Sequence, residues 1–332
     1  MSYTIGSFNL YHFNMQSDDE RRKDLLKIAE IIREEKFDIV ALQEIESELY
    51  VKQLTNRIGL LNWKCCYLHS EGSSHDHAEG YAFLWNTNRM NTIGYPKVYK
   101  DYGVDSKLVR PPQVARFTPV GLPGGIPFEL RLINTHIAFK RPANYCEKDV
   151  EYRRKEFEVL INEVYPRVAD HRYGNNMPAY TLLMGDYNLC IVGNNKIVPW
   201  DLNKNYGYVD CDIGEGRVIR TIQSDATSLK QPKKNQKRST REDSLLEADS
   251  AEVFDENGGF YSNDYDHFTF DLTMYERIGI SKAQRVEALG KYYDNELGLY
   301  RKEISDHVPI KLVLDINGVM YLPLEKINGR EK

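Results

Sequence analysis

Apolar and polar positions along this chain fall into two rhythms. Short apolar or alternating runs of strand length recur over residues 3–10, 37–42, 63–68, 81–85, 113–118, 128–135, 182–184, 265–271 and 308–314. A near-continuous run such as 37–42 is the pattern of a strand covered on both faces. Between the runs, a period of 3.6 residues predicts helices. Leu25, Ile28, Ala29 and Ile32 share one face behind a capping box that begins at Ser17 and closes at Glu20. Leu54, Ile58 and Leu61 face inward from a helix over 47–58. A third helix over 149–164 carries Val150, Phe157, Leu160, Ile161 and Val164 and stops at Pro166, and a last one lies around 281–293. Residues 194–225 show no period and read as irregular, and Pro123-Gly124-Gly125 marks a hairpin or loop.

What stands at the ends of the runs matters more than the runs themselves. Leu182-Leu183-Met184 leads straight into Gly185-Asp186-Tyr187-Asn188, a buried strand that turns at a glycine and presents a carboxylate and an amide. The arrangement repeats: Asn9 closes the first strand, Glu44 follows 37–42, His136 follows 128–135, Asp266 opens 265–271, and Asp306-His307 precedes the final strand. Hard oxygen donors such as Glu44, Asp306 and Asn9 suit Mg²⁺ or Mn²⁺, while two histidines with carboxylates nearby suit proton transfer and oxyanion stabilisation. A phosphate ester attacked in line by water is the natural substrate for that combination. No linker splits these sites into two groups, so residues 1–332 count as one α/β domain with a charged insertion at 228–258.

Composition narrows the picture. A net charge of −5 and a pI near 6.0 supply no global attraction to polyanions, so a nucleic-acid substrate needs a local basic patch or metal ions. Five cysteines in irregular spacing, Cys65 and Cys66 adjacent, read as reduced thiols in a cytoplasmic protein. The start has no signal-peptide pattern, and no apolar run is long enough to span a bilayer, so no membrane association is expected. His75-Asp76-His77 lies in a polar stretch and reads as an exposed loop pair, since a metal site needs further ligands nearby. Residues 230–241 are basic and 242–256 mainly acidic, which reads as a solvated loop whose halves offset each other. No protein partner is inferable.

The ordered set Phe8-Asn9, Val40 through Glu44, Glu79 through Leu84, Arg110-Pro111-Pro112, Thr135-His136, Met184 through Asn188, Tyr265-Asp266 and Ser305-Asp306-His307 resembles the endonuclease/exonuclease/phosphatase superfamily. Within it the resemblance is to deoxyribonuclease I-like nucleases, over nearly the whole chain apart from the charged insertion. It implies a four-layered α/β sandwich of two mixed sheets with helices outside. It implies Glu44 as principal metal ligand with Asn9 and Asp306, and Mg²⁺ or Mn²⁺ as cofactor. Asp186 takes the role of holding or activating water, and Asn188 that of orienting the phosphate. His136 and His307 take the catalytic histidine positions, paired with Glu79 and Asp266. Arg110 and Tyr81 fall among the substrate-binding positions. The implied reaction is hydrolysis of a phosphodiester, DNA foremost, to 5′-phosphate and 3′-hydroxyl ends.

The chain departs from that pattern where duplex DNA is read. Glu46 stands where the nuclease places an arginine in the minor groove, His77 falls on or near the minor-groove tyrosine, and the secreted enzyme's disulfides are missing. An acidic residue facing a groove is unfavourable, which leaves single strands, RNA, or DNA bound through the basic loop 230–241 open as substrates. A phosphatase acting on an inositol phosphate, phospholipid headgroup or nucleotide is the alternative enzyme. Met184 before Gly185 is unlike the tryptophan-containing motif of the inositol 5-phosphatases.

Overall fold

The computed structural model describes residues 2–14, 23–70, 79–101, 103–104, 107–121, 128–140, 148–174, 177–191, 196–197, 208–223, 225–230 and 260–315. The chain opens with β1 (Ser2–Phe13), α1 (Leu25–Glu34), β2 (Ile39–Ile45), α2 (Glu48–Gly59), β3 (Trp63–Ser70) and β4 (Glu79–Asn86). It continues through β5 (Met90–Thr92), β6 (Lys97–Val98), β7 (Gln113–Pro119), β8 (Glu129–His136), α3 (Asp149–Val159), α4 (Tyr165–Asp170) and β9 (Ala179–Asp186). Next come β10 (Tyr208–Asp212), β11 (Val218–Gln223), β12 (Asp266–Asp271) and α5 (Leu272–Arg277). It closes with β13 (Gly279–Ile280), β14 (Gln284–Arg285), α6 (Ala288–Tyr293), α7 (Leu297–Glu303) and β15 (Ile310–Asp315).

Two sheets result. One runs β13-β15-β1-β2-β4-β3 with β14 also on β15, and the other runs β10-β11-β12-β9-β8-β7-β5 with β6 also on β7. Both are mixed: β1–β2 and β8–β9 are parallel, and the remaining pairs are antiparallel. Strand alternation explains the layers. Ile39 and Ala41 join the core between the sheets with Leu130, Leu132, Leu182 and Met184, while Val40 and Leu42 turn to the outer face under α1 and α2. Leu183 and Ile133 likewise turn outward, against Phe157 of α3. The expected four-layered α/β sandwich is what the chain adopts.

Several local expectations need correction. The capping box at Ser17 lies outside the described residues; α1 starts at Leu25, where Asp24 Oδ1 accepts from the N–H groups of Leu26 and Lys27. Leu61 is 89% exposed, because α2 ends at Gly59 and its period no longer governs that side chain. Pro166 opens a helix instead of stopping one. A π turn at Leu160–Val164 precedes it, closed by Tyr165 N–H donating to the Leu160 carbonyl, and the proline sits in the first turn of α4, where no N–H is needed. The stretch 194–225 contains the β10–β11 pair, which the polar face of β10 (Asp210, Asp212) conceals. In 281–293 only Ala288–Tyr293 is helical; earlier residues of that stretch pair with β15, and the short α5 and α7 flank it.

The insertion expected from 228 begins inside the fold. Ser228 bridges to His307 and Leu229 to Tyr261. Residues 231–259, 123–125 and 75–77 lie outside the described residues. The four described cysteines are free thiols. No helix among the described residues is long and apolar enough to cross a membrane.

Candidate active site

Parallel pairing at the two sheet centres decides where the chemistry gathers. Within each sheet, β1 with β2 and β8 with β9 end on the same side, delivering Asn9 and Glu44 from one sheet and His136 and Asp186 from the other. Because β12 runs antiparallel to β9, its first residue, Asp266, lies opposite Asp186. His307 enters just ahead of β15. A buried polar bridge ties the sheets behind this point: Gln43 Nε2 donates to Asn134 Oδ1 (2.7 Å) and to Ser7 Oγ (3.1 Å), and Asn134 Nδ2 donates to the carbonyls of Leu42 and Ala82. Gly185 has φ +146°, and a Cβ there would lie 1.8 Å from the Thr135 carbonyl oxygen, so only glycine lets β8 and β9 approach this closely. Glu44 (φ +56°) and Asn188 (φ +50°) are also left-handed, at a cost of about 1–3 kcal/mol each.

Each imidazole is held by its own carboxylate. His136 Nδ1 lies 2.5 Å from Glu79 Oε1, and Arg110 reaches both partners, at 3.1 Å from His136 Nδ1 and 3.3 Å from Glu79 Oε2. An Nδ1–H donated to Glu79 leaves Nε2 as acceptor, and Asn188 Nδ2 stands 3.2 Å from it. His307 Nδ1 pairs with Asp266 Oδ2 at 2.7 Å, and its Nε2 faces Asp186 Oδ2 at 3.5 Å. His136 Nε2 lies 3.8 Å from the same oxygen, so both rings look on to Asp186.

The environments drive the two rings apart. Burial, with Arg110 beside it, pulls His136 down to about 4, so it is neutral. His307 is also penalised by burial, but Asp266 and Asp186 outweigh that and raise it well above 6.5, so it is an imidazolium. Burial pushes Asp186 up, against the pull of His307.

The metal-ligand candidates lie beside this triad. Asn9 donates Nδ2 to Glu44 Oε1 (2.9 Å) and to Asp186 Oδ2 (3.0 Å), while its Oδ1 accepts from Tyr11 N–H. In this arrangement it positions two carboxylates and turns its own oxygen away. Asp306 Oδ1 is buried with no hydrogen-bond partner, the condition of an oxygen built for a cation. With Glu44 it offers hard oxygen donors of the kind Mg²⁺ or Mn²⁺ take. Asp186, Asp266 and His307 also form a tight cluster, within 4.8 Å, but the Asp266–His307 hydrogen bond already occupies two of its members.

The model of the endonuclease/exonuclease/phosphatase family matches residues 6–210. The chain belongs to that family. Its members are hydrolases of phosphoester bonds. No curated protein matches the chain. Solved structures share the fold. A Bacteroides thetaiotaomicron protein of the same family is 19% identical, covers 95% of this chain and 98% of its own, and superposes with TM-score 0.51. D. rerio TDP2, humanised by 14 mutations, is 14% identical over 95% and 99% of the two chains, TM-score 0.52. D. rerio TDP2 with a single-strand DNA product is 13% identical over 95% and 99%, TM-score 0.50.

In this family member the site opens into a cavity of about 760 Å³ lined by Glu44, Glu79, Arg110, His136, Asp186, Asn188, Asp306 and His307. Asn9 and Asp266 stand behind that wall and act through the residues they hold. Tyr81 is a correction. It is fully buried, and its hydroxyl accepts from His136 N–H at 3.1 Å, so it positions the histidine and touches no substrate. Sequence reasoning missed the rim: Tyr11 and His12, where β1 breaks register, and Phe139, Ser228, Leu229, Ser262 and Asn263, on short stretches without period, also line the cavity. It also missed Arg153 and Glu156, one helical turn apart on α3. Glu156 Oε1 accepts from Val109 N–H (2.8 Å), and Arg153 donates to the Phe139 carbonyl (2.8 Å). Only their unusual burial marks them, and burial is not written in sequence. Glu46 does line the site, paired with His12 at 2.6 Å.

Proposed function

We propose that this protein is a divalent-metal-dependent phosphodiesterase that cleaves nucleic acid, DNA foremost, leaving 5′-phosphate and 3′-hydroxyl ends. The observation that carries the reading is the meeting of two imidazoles on a single aspartate, each ring locked at Nδ1 by its own carboxylate and only one of them beside an arginine. Environments that push two titratable groups apart assign opposite roles to them. A divalent cation held by Glu44 and Asp306 neutralises phosphate charge when bound.

The chain's own groups do the rest. Asp186 holds the attacking water and takes its proton as the water oxygen bonds to phosphorus. The imidazolium of His307 places positive charge where the phosphoryl oxygens gain negative charge. One N–H of Asn188 Nδ2 stays on the Ile137 carbonyl at 2.8 Å, and the other turns from His136 Nε2 to a phosphoryl oxygen. Neutral His136 backs Asn188, and Arg110 faces the phosphate. The P–O3′ bond breaks, and the departing oxygen takes a proton from water.

Single strands suit the mouth of this site better than duplex. Glu46 keeps an acidic group at the rim, hydrogen-bonded to His12 at 2.6 Å, where docking a minor groove would call for a positive one. The neighbour solved with a single-strand DNA product points the same way. The test is a digestion panel of duplex DNA, single-stranded DNA, RNA and small phosphoesters under Mg²⁺ and Mn²⁺, with and without EDTA. Metal-dependent cutting of a nucleic acid is expected. Phosphate release from small esters with every nucleic acid left intact would replace the nuclease reading with a phosphatase.

A further inference from the structure

Phe139 is 50% exposed on the wall of the catalytic cavity, an unusual place to leave an apolar ring. The backbone leading to it is fixed at every step from the active histidine. His136 N–H donates to Tyr81, Ile137 N–H donates to the Asp186 carbonyl at 2.9 Å, and the Ile137 carbonyl accepts from Asn188. Arg153 then takes the Phe139 carbonyl at 2.8 Å and lays its guanidinium 4.6 Å from the ring centroid. That arginine is 3% exposed, its Nε has no hydrogen-bond partner, and burial lowers its pKa. A buried guanidinium is costly, and here it serves the placement of one half-exposed ring. On another side, Tyr265 stands 6.5 Å away at 57° and limits tilting.

We infer that Phe139 is a stacking platform for an unpaired nucleobase next to the scissile phosphate. The inference rests on the nuclease reading above and deepens it. A ring backed by a guanidinium and anchored through its own carbonyl loses little freedom when a base lies on its open face, so the contact is pre-organised. Every base offers a flat π-face, which makes such a platform indifferent to sequence but dependent on the base being out of a duplex. Phe139 is three residues past His136, so the stacked base belongs to a nucleotide flanking the bond being cut. Chemistry and strand preference are thereby joined on one short spur.

The test compares two single-stranded oligonucleotides of equal length, one normal and one with abasic sugars on both sides of a central linkage. The ratio of kcat/KM at that linkage, normal over abasic, is measured for wild type, F139A and F139W. Stacking on an aromatic side chain predicts a ratio of roughly ten to a hundred in wild type. It should fall towards one in F139A and be retained in F139W. Thermal melts check that both variants are folded, as a substitution at a half-exposed position should be. A wild-type ratio near one, or an undiminished ratio in F139A, overturns the platform while the nuclease reading stands. Failure of wild type to cut either oligonucleotide overturns the platform, and the nuclease reading falls with it only if duplex DNA and RNA are also left intact.

Discussion

Replacing Gly185 with alanine perturbs the point where the two strands carrying His136 and Asp186 come closest. The added Cβ would lie 1.8 Å from the Thr135 carbonyl oxygen, whereas ordinary contact begins at 3.4 Å, so the strands must part there by about 1.6 Å. Thr135 and Gly185 are register partners, and the next pair along is His136 with Asp186. The displacement therefore arrives at the reacting groups almost undiminished. The backbone adds its own cost, because φ +146° is a region that only glycine occupies freely, worth roughly 1–3 kcal/mol. With the opened ladder, a loss of about 3 kcal/mol or more is expected. A misplacement on the order of 1 Å at a reacting centre costs about a hundredfold in rate. The assay is a urea melt alongside turnover measured where the variant is still folded. The midpoint should fall, and turnover should drop by at least roughly a hundredfold in the folded fraction. A variant with the wild-type midpoint and wild-type turnover would refute the close-approach argument.

Three further outcomes follow from the same geometry. His307→Ala should lower turnover by about 10²–10³-fold and His136→Ala should lower it through a loosened Asn188, both with the far-ultraviolet spectrum intact, and wild-type turnover in either would remove its role. Glu44→Gln should raise the Mg²⁺ concentration needed for half-maximal activity, and an unchanged metal titration would show that Glu44 is not a ligand. Glu156 is fully buried, and burial, opposed by backbone N–H donors, raises its pKa from 4.5 to about 7. The folded state thus holds a proton that the unfolded chain releases, so stability is full below about 4.5 and is lost as pH rises through about 7. Glu156→Gln should abolish that decline, on the order of 3 kcal/mol; melts with the same pH slope in variant and wild type would contradict it.

Strand-end chemistry was readable because a buried strand has to announce its end. Residues 39–42 and 182–184 are apolar without interruption, so Glu44 and Asp186 stand out against them, and the sandwich follows from the alternation of Ile39 and Ala41 with Val40 and Leu42. The rim was not readable for the converse reason. Tyr11 sits where β1 breaks register, and Phe139, Ser228 and Asn263 sit on irregular backbone, where no period says which way a side chain faces. Tyr81 was misplaced because the family motif marks that a residue belongs to the site, and only burial says whether it touches substrate or supports a group that does. The β10–β11 pair went unseen because Arg220 pairs with Asp210 across it at 2.8 Å, which puts charge where an alternating strand should look apolar.

The two imidazoles show why fold and chemistry cannot be separated here. Neither histidine could be assigned a charge from its neighbours in sequence, since each simply follows or precedes a strand. The sandwich assigns the charges by what it delivers. The strand β7 side brings Arg110 against His136, while β12, paired antiparallel with β9, brings Asp266 against His307 and sets it beside Asp186. A parallel β12 of the same sequence would carry its first residue to the far end of β9 and leave His307 without its carboxylate. Burial would then pull both rings towards the neutral form, and the site would hold two bases with Arg110 alone as a side-chain cation for the phosphoryl oxygens. Sheet topology, through strand direction alone, is what makes one ring an acceptor and the other an electrostatic partner of the phosphate.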